Sequence, residues 1–166
     1  MNARLSAFAI ALGVFAGDQL TKLLVRAALP AWETRTIIPG FCDLLHTENQ
    51  GAAFSLFSSA HPGWRTFFLV AVTAAALVII ASLLWRLQGR IAASRLPRLG
   101  LALILGGALG NLFDRVLRHG AVTDFIELYV RDFRWPAFNL ADSAITVGAA
   151  LVLLDMLRAR RAPEPT

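Results

Sequence analysis

Long apolar runs separated by short charged clusters dominate the chain. A bilayer span needs about 20 mostly apolar residues, and four stretches reach that length, at about 5–29, 66–86, 98–118 and 136–158. The second has no charge between Arg65 and Arg86. The other three gather polar residues toward one end: Asp18, Gln19, Lys22 and Arg26 in the first, Asn111, Asp114 and Arg115 in the third, Asn139, Asp142 and Ser143 in the fourth. Pro136, suited to a first helical turn, is read as the start of the fourth. Residues 30–65 break the helical pattern. Thr36-Ile-Ile-Pro-Gly-Phe reads as a short strand entering a turn at Pro39-Gly40, and residues 41–48 as a second strand. Residues 122–128 alternate polar and apolar, as an extended segment does. The N-terminal run resembles a secretory signal, but its apolar character resumes beyond Asp18 and Lys22, so it is read as a retained helix.

Charge placement gives this pattern an orientation. Arg4, Arg86, Arg90, Arg95, Arg98, Arg158, Arg160 and Arg161 flank the spans on one side, against Glu164 alone. In loops 30–65 and 118–135, acids and bases balance. Basic residues stay on the cytoplasmic side, so both termini and the basic tail 158–166 are expected there, with the two balanced loops outside. Trp32, Trp64 and Trp135 then fall at the outer interface and Trp85 at the inner one. The net charge of +5 is thus a topological signal, and no nucleic-acid partner is expected.

Composition agrees: 57% hydrophobic and 16% charged, against roughly a quarter charged in soluble domains. Cys42 is the single cysteine, which excludes a disulfide framework, and it reads as a small buried hydrophobe. The three histidines lack the i,i+4 spacing of a zinc helix.

The polar residues inside the spans are the candidates for chemistry, because ionisable groups at membrane depth are costly and usually functional. Asp18, Lys22 and Arg26 form a four-spaced stripe. It reads as an ion pair locking helix packing, as support for a site in the outer leaflet, or both. Asn49 and Gly51 read as a tight turn or as a functional loop, with Phe54, Leu56 and Phe57 placed to dip into the interface. Gly106 and Gly110 make a GxxxG suited to close helix contact, which an internal bundle can use up. Asn111, Asp114 and Arg115 share a face and either cap and snorkel or bind a carbonyl in the membrane. Asn139, Asp142, Ser143 and Thr146 share another. No Gly-x-Ser-x-Gly context surrounds Ser143. Two carboxyls sharing a site can hydrolyse a peptide without a cofactor, one protonated and the other activating water. Asp18 has Lys22 beside it, and Asp114 adjoins Arg115. Asp155 lies on the inner side, near Arg158. Glu33, Asp43, Glu48 and Asp132 are read as loop residues without apolar surround. Asp124 and Asp142 remain, with Glu127 a near neighbour of the first.

Five segments carry a resemblance over almost the whole chain: Asp18-Gln-Leu-Thr-Lys22, Asn49-Gln-Gly-Ala-Ala-Phe-Ser55, Gly106-Gly-Ala-Leu-Gly-Asn-Leu-Phe-Asp-Arg115, Val122-Thr-Asp124-Phe and Phe138-Asn-Leu-Ala-Asp142-Ser. Together they resemble the lipoprotein signal peptidases, bacterial intramembrane aspartyl peptidases. The resemblance implies an all-α membrane protein, four transmembrane helices with a small extracytoplasmic β-cradle from residues 30–60, both termini cytoplasmic, in the cell (inner) membrane. It implies Asp124 and Asp142 as the catalytic dyad, Asn49 and Arg115 as substrate contacts, and Gly51 shaping the same loop. Asp18, Lys22, Asn111, Asp114 and Asn139 are implied as supports. The family commonly has an aliphatic residue before the first aspartate, where this chain has Thr123. The implied substrate is a diacylglyceryl-modified prolipoprotein, cut on the N-terminal side of its lipidated cysteine, with no cofactor; a GxxxG used within the bundle leaves a monomer as the expectation. A small transporter or a membrane scaffold is the alternative. A transporter needs a polar route through the bilayer, which the inner halves of the last three spans do not supply.

Overall fold

A computed structural model describes residues 2–51, 62–86 and 94–160. It contains helices α1 (Ala3–Ala28), α2 (Pro62–Arg86), α3 (Arg95–Leu117) and α4 (Leu140–Arg160), and strands β1 (Thr34–Ile38), β2 (Cys42–Asn49), β3 (Val122–Val130) and β4 (Phe133–Arg134). All four helices are long and apolar enough to cross a membrane. Ala52 to His61, including Phe54, Leu56 and Phe57, lie outside the described residues, as do Arg90 and the tail beyond Arg160.

The helices bury small and polar residues and turn large apolar ones outward. On α1 the buried positions are Ala7, Ala11, Asp18, Lys22 and Val25, one stripe at helical spacing. Leu12, Leu20, Leu23 and Leu24 are exposed, where lipid tails are as apolar as any protein partner. Helix α3 is the hub, packing on α1, α2 and α4. Its glycines divide the work. Gly106 and Gly110 lie against Ala11 and Asp18 of α1, so the GxxxG is used inside the bundle; Gly100 and Gly107 meet Gly148 and Ala141 of α4. Helix α2 joins through Leu77 and Leu84, which form a core with Ala7, Ala11, Leu101, Ala102 and Leu105.

The sheet is antiparallel with order β1-β2-β3-β4. The expected turn at Pro39-Gly40 is present, with Gly40 at φ +79°, a conformation that glycine adopts freely. The cradle expected from residues 30–60 draws on loop 118–135 as well, because β3 pairs with β2 along its length. Phe125 on β3 packs with Val25 and Leu29, anchoring the sheet on the end of α1. Between Leu44↔Ile126 and Thr47↔Asp124 the register shifts, with three steps on β2 against two on β3, as in a β-bulge.

Helix α4 begins at Leu140, four residues later than Pro136 suggested. Residues 135–138 run as an extended edge on β3: Trp135 N donates to Leu128 O at 2.8 Å, Phe138 N to Ile126 O at 3.0 Å, and Phe138 O accepts from Phe125 N and Ile126 N. With its own backbone committed to β3, this segment cannot turn helical until Asn139.

Candidate active site

Asn139 closes that edge and opens α4. Its Oδ1 accepts from Asp142 N at 2.9 Å, and Asp142 Oδ2 accepts from Asn139 N at 3.2 Å. This is a reciprocal N-cap of the capping-box kind. Because Phe138 is bonded to β3 and Asn139 caps α4, Asp142 on the helix is brought beside Asp124 on the strand. Both aspartates line one cavity of about 550 Å³, together with Asn49, Gly51, Asn111, Arg115, Ser143 and Thr146 and an apolar wall including Leu128, Trp135, Phe138 and Ile145.

Each carboxylate is held by two N–H donors. Asp124 Oδ1 accepts from Asn139 Nδ2 at 2.7 Å and Oδ2 from Asn49 Nδ2 at 2.9 Å. Asp142 Oδ1 accepts from Asn111 Nδ2 at 2.8 Å, and its Oδ2 takes the cap bond. The three side-chain amides have no freedom to turn over. Asn111 Oδ1 accepts from the Lys22 ammonium at 3.0 Å, Asn49 Oδ1 from Gly51 N at 2.9 Å, and Asn139 Oδ1 from Asp142 N. Those three partners can only donate, so each amide must present its NH₂ to an aspartate.

Asp124 is 2% exposed. Burial pushes its carboxyl up from the ordinary 3.8 to about 7, and the nearby Asp142 adds to the rise. Hydrogen bonds from Asn49 and Asn139 and the charge of Lys22 hold it back. Desolvation disfavours the charged form of an acid, and a second carboxyl in the same cavity does the same.

Behind the cavity lies a closed ionic layer. Lys22 is fully buried and donates to Asp18 Oδ2 at 2.8 Å and to Asp114 Oδ2 at 3.0 Å. Asp114 is thus a partner of Lys22, not of the adjacent Arg115: on a helix, neighbours in sequence point apart. Gln19 Nε2 bridges Asp18 and Asp114 at 3.1 and 3.3 Å, and Asp18 Oδ1 accepts from Ala141 N at 3.0 Å. The first-span pair therefore ties α1 to α3 through Asp114 and Asn111 and to α4 through Ala141. Arg115 donates to Gly51 O at 3.3 Å and Asn111 O at 3.4 Å, and its buried Nε has no partner among the described residues.

Several residues set aside on sequence grounds are built into the sheet. Glu48 and Asp43 belong to β2, and Asp43 is buried, accepting from Tyr129 OH at 3.3 Å. Glu127 is held by Arg134, which removes it as a rival to Asp124. Asp155 accepts from Ser94 Oγ at 2.9 Å. Arg26 leaves the Asp18–Lys22 stripe and donates to Thr123 Oγ1 at 3.0 Å. The sequence marked Gln19 by its place beside an intramembrane acid and Thr123 by its departure from the family's usual aliphatic residue, but it indicated the partners of neither.

The sequence profile of a family described as signal peptidase (SPase) II matches residues 10–158. A lipoprotein signal peptidase of Solibacter usitatus (strain Ellin6076) is 47% identical over 161 residues, covering 95% of this chain and 94% of that protein. One from Maridesulfovibrio salexigens is 42% identical, covering 85% and 88%. A solved structure titled as a bacterial membrane enzyme at 2.3 Å resolution superposes with a TM-score of 0.83 at 28% identity, covering 97% of this chain and 93% of that one.

Proposed function

This chain belongs to the signal peptidase II family, and we propose that Asp124 and Asp142 are the dyad with which it works. As a member it is a membrane protease that removes signal peptides from prolipoproteins by an aspartyl mechanism. The observation that carries the assignment is the cavity: two aspartates from different elements share it, each held by amide donors whose orientation is fixed.

In this reading the dyad's shared proton rests on Asp124, whose carboxyl is pushed up to about 7. Asp142, held by Asn111 and its own helix cap, takes a proton from water as that water attacks the scissile carbonyl. Asp124 gives its proton to the carbonyl oxygen as the tetrahedral intermediate forms; Asp142 then passes the proton it took from water to the departing amine as the C–N bond breaks, and a hydroxyl of the intermediate returns a proton to Asp124 as the carboxyl product forms. Arg115, whose Nε has no partner among the described residues and whose charge lies near both carboxyls, binds a substrate carbonyl, and Asn49 and Gly51 shape the same wall. The bond cut is the one preceding a diacylglyceryl-modified cysteine. Acyl chains hold such a substrate in one leaflet, and the cavity mouth beside Trp135 suits that depth.

The protein sits in the cell (inner) membrane with both termini cytoplasmic and the sheet outside, a reading supported by the eight basic residues on one set of flanks. It works as a monomer, supported by the use of Gly106 and Gly110 within the bundle. Purified Asp124→Asn and Asp142→Asn should each abolish cleavage of a diacylglyceryl-modified precursor while remaining folded in detergent. Cleavage retained by either variant would sink the dyad.

A further inference from the structure

Thr123 is fully buried, and every polar atom it has is engaged. Its N donates to Asp114 Oδ2 at 3.4 Å and its O accepts from Asn139 Nδ2 at 3.4 Å. Its hydroxyl accepts from Arg26 NH1 at 3.0 Å and donates to Glu48 Oε1 at 3.2 Å. One hydroxyl therefore joins α1, β2 and β3. Glu48 is also the cross-strand partner of Thr123; Arg118 NH2 steadies its Oε1 at 2.9 Å, and the His46 ring faces the same oxygen at 3.3 Å.

The next residue along each strand matters to the dyad. Glu48 precedes Asn49, and Thr123 precedes Asp124; the Asn49–Asp124 bond of 2.9 Å is the diagonal of this short ladder. After the register shift only three pairs remain, Thr47↔Asp124, Glu48↔Thr123 and Asn49↔Val122. A bulge loosens the ladder it interrupts, so a three-pair end needs a further tie. The Glu48–Thr123 pair is its centre, and its side chains bond on the side away from the cavity.

We propose that the Thr123 hydroxyl, tied to Glu48 and Arg26, is a positioning device for the reaction: it fixes the strand spacing at which Asn49 reaches Asp124. This rests on the reading of Asp124 as catalytic. No step of hydrolysis passes through Thr123 itself. Losing it lets Asn49 drift from Asp124, which misplaces the acid more than it weakens substrate binding. It also removes a donor that favours the charged carboxylate, so the proton leaves Asp124 at higher pH. The other charged groups near Asp124 are Asp142 on α4, Arg115 on α3 and Lys22 on α1, and none of them bonds the hydroxyl.

The test is steady-state cleavage of a diacylglyceryl-modified precursor by Thr123→Val and Thr123→Ser across pH 5–9. The valine variant keeps shape and loses the hydroxyl. Its kcat should fall roughly tenfold to a hundredfold, the scale of a small misplacement in a catalytic site, with KM within about twofold and the alkaline limb of the profile moved upward. The serine variant should keep the parent's kcat and limb. A valine variant with parental kcat, or a serine variant as slow as valine, overturns the proposal. So does a loss carried by KM with the limb unmoved. If the valine variant does not accumulate, Glu48→Ala reads the same tie from β2, and a parental kcat there overturns the proposal equally. Asp124→Asn run alongside separates the two readings: activity in it refutes the dyad, whereas its inactivity beside a fully active valine variant refutes only the positioning role.

Discussion

A buried acid that titrates near neutrality is a stability liability, and Asp124 allows that cost to be measured apart from activity. Its carboxyl goes from 3.8 in its ordinary state to about 7 in the fold. Below pH 3.8 the group is protonated folded and unfolded, and has no effect. Between 3.8 and 7 the unfolded chain releases the proton while the folded one keeps it, so stability falls steadily; above 7 the loss is complete, at about 4 kcal/mol. Asparagine escapes this cost because it cannot ionise. It also gives up an acceptor, leaving Asn49 or Asn139 Nδ2 facing another N–H, which costs about 1–3 kcal/mol at any pH. Asp124→Asn should therefore be less stable than the parent at pH 4 and more stable at pH 8.5, the difference swinging by about 4 kcal/mol. In a chain of this length that is on the order of 10 °C in the unfolding midpoint. The assay is thermal unfolding of both proteins in the same detergent across pH 4–9, read as a difference so that other titrating groups largely cancel. A difference that stays constant with pH refutes the reasoning. A variant that falls further behind as pH rises shows that the ionised carboxylate is stabilised by its amide donors more than it is penalised by burial.

Three further outcomes follow from the same contacts. Lys22→Met should lower stability by about 3–5 kcal/mol, the scale for breaking a buried ion pair, since it strands Asp18 and Asp114 and releases Asn111 Oδ1; adding Asp18→Asn should recover part of the loss in a double-mutant cycle. Gly107→Ala should cost stability and kcat together, because a Cβ there would sit 2.5 Å from Ala141 O and press on the turn of α4 that carries Asp142, whereas Gly13→Ala, with nothing within 4 Å, should be neutral or slightly stabilising by unfolding in detergent. Asn49→Ala removes a hydrogen bond to the charged form of Asp124, so the alkaline limb of kcat/KM should rise by about one pH unit as kcat falls; an unmoved limb would mean that Asn49 serves the loop and not the acid.

Much of the bundle was legible because a membrane span leaves so strong a signature. Four apolar runs gave four helices with ends displaced by a few residues; that α2 packs through Leu77 and Leu84 is visible only in the structure. The sheet was half visible. Its turn at Pro39-Gly40 follows from residue chemistry, but the pairing of β2 with β3 joins residues from 73 (Asn49↔Val122) to 86 (Cys42↔Leu128) apart, and no local pattern reports a partner at that distance. Pro136 misled for a related reason. Proline suits a first helical turn, and the preference was overridden by a backbone already bonded to β3 through residues 135–138.

The aspartates themselves could be found by elimination, since an acid with no evident partner in an apolar run calls for a use. Elimination left Asp124 and Asp142, the two aspartates that line the cavity, but for partly mistaken reasons. Asp114 was dismissed through Arg115, although Lys22 is what neutralises it, and Glu48 was dismissed as a loop residue, although it is tied to the strand carrying Asp124. The amides were harder to read than the acids. Asn49, Asn111 and Asn139 are unremarkable singly, and their role depends on which end each presents, which in turn depends on a third group: Gly51 N, the Lys22 ammonium and Asp142 N. This gives the buried ion cluster a function beyond cohesion. An ammonium can only donate, so placing Lys22 on Asn111 Oδ1 forces Nδ2 toward Asp142, and a cation one layer behind the cavity sets the direction of a hydrogen bond within it. By the same logic, replacing Asn111 with aspartate should be far more damaging than its size suggests: it would keep the bond to Lys22 while turning a donor facing Asp142 into a like charge.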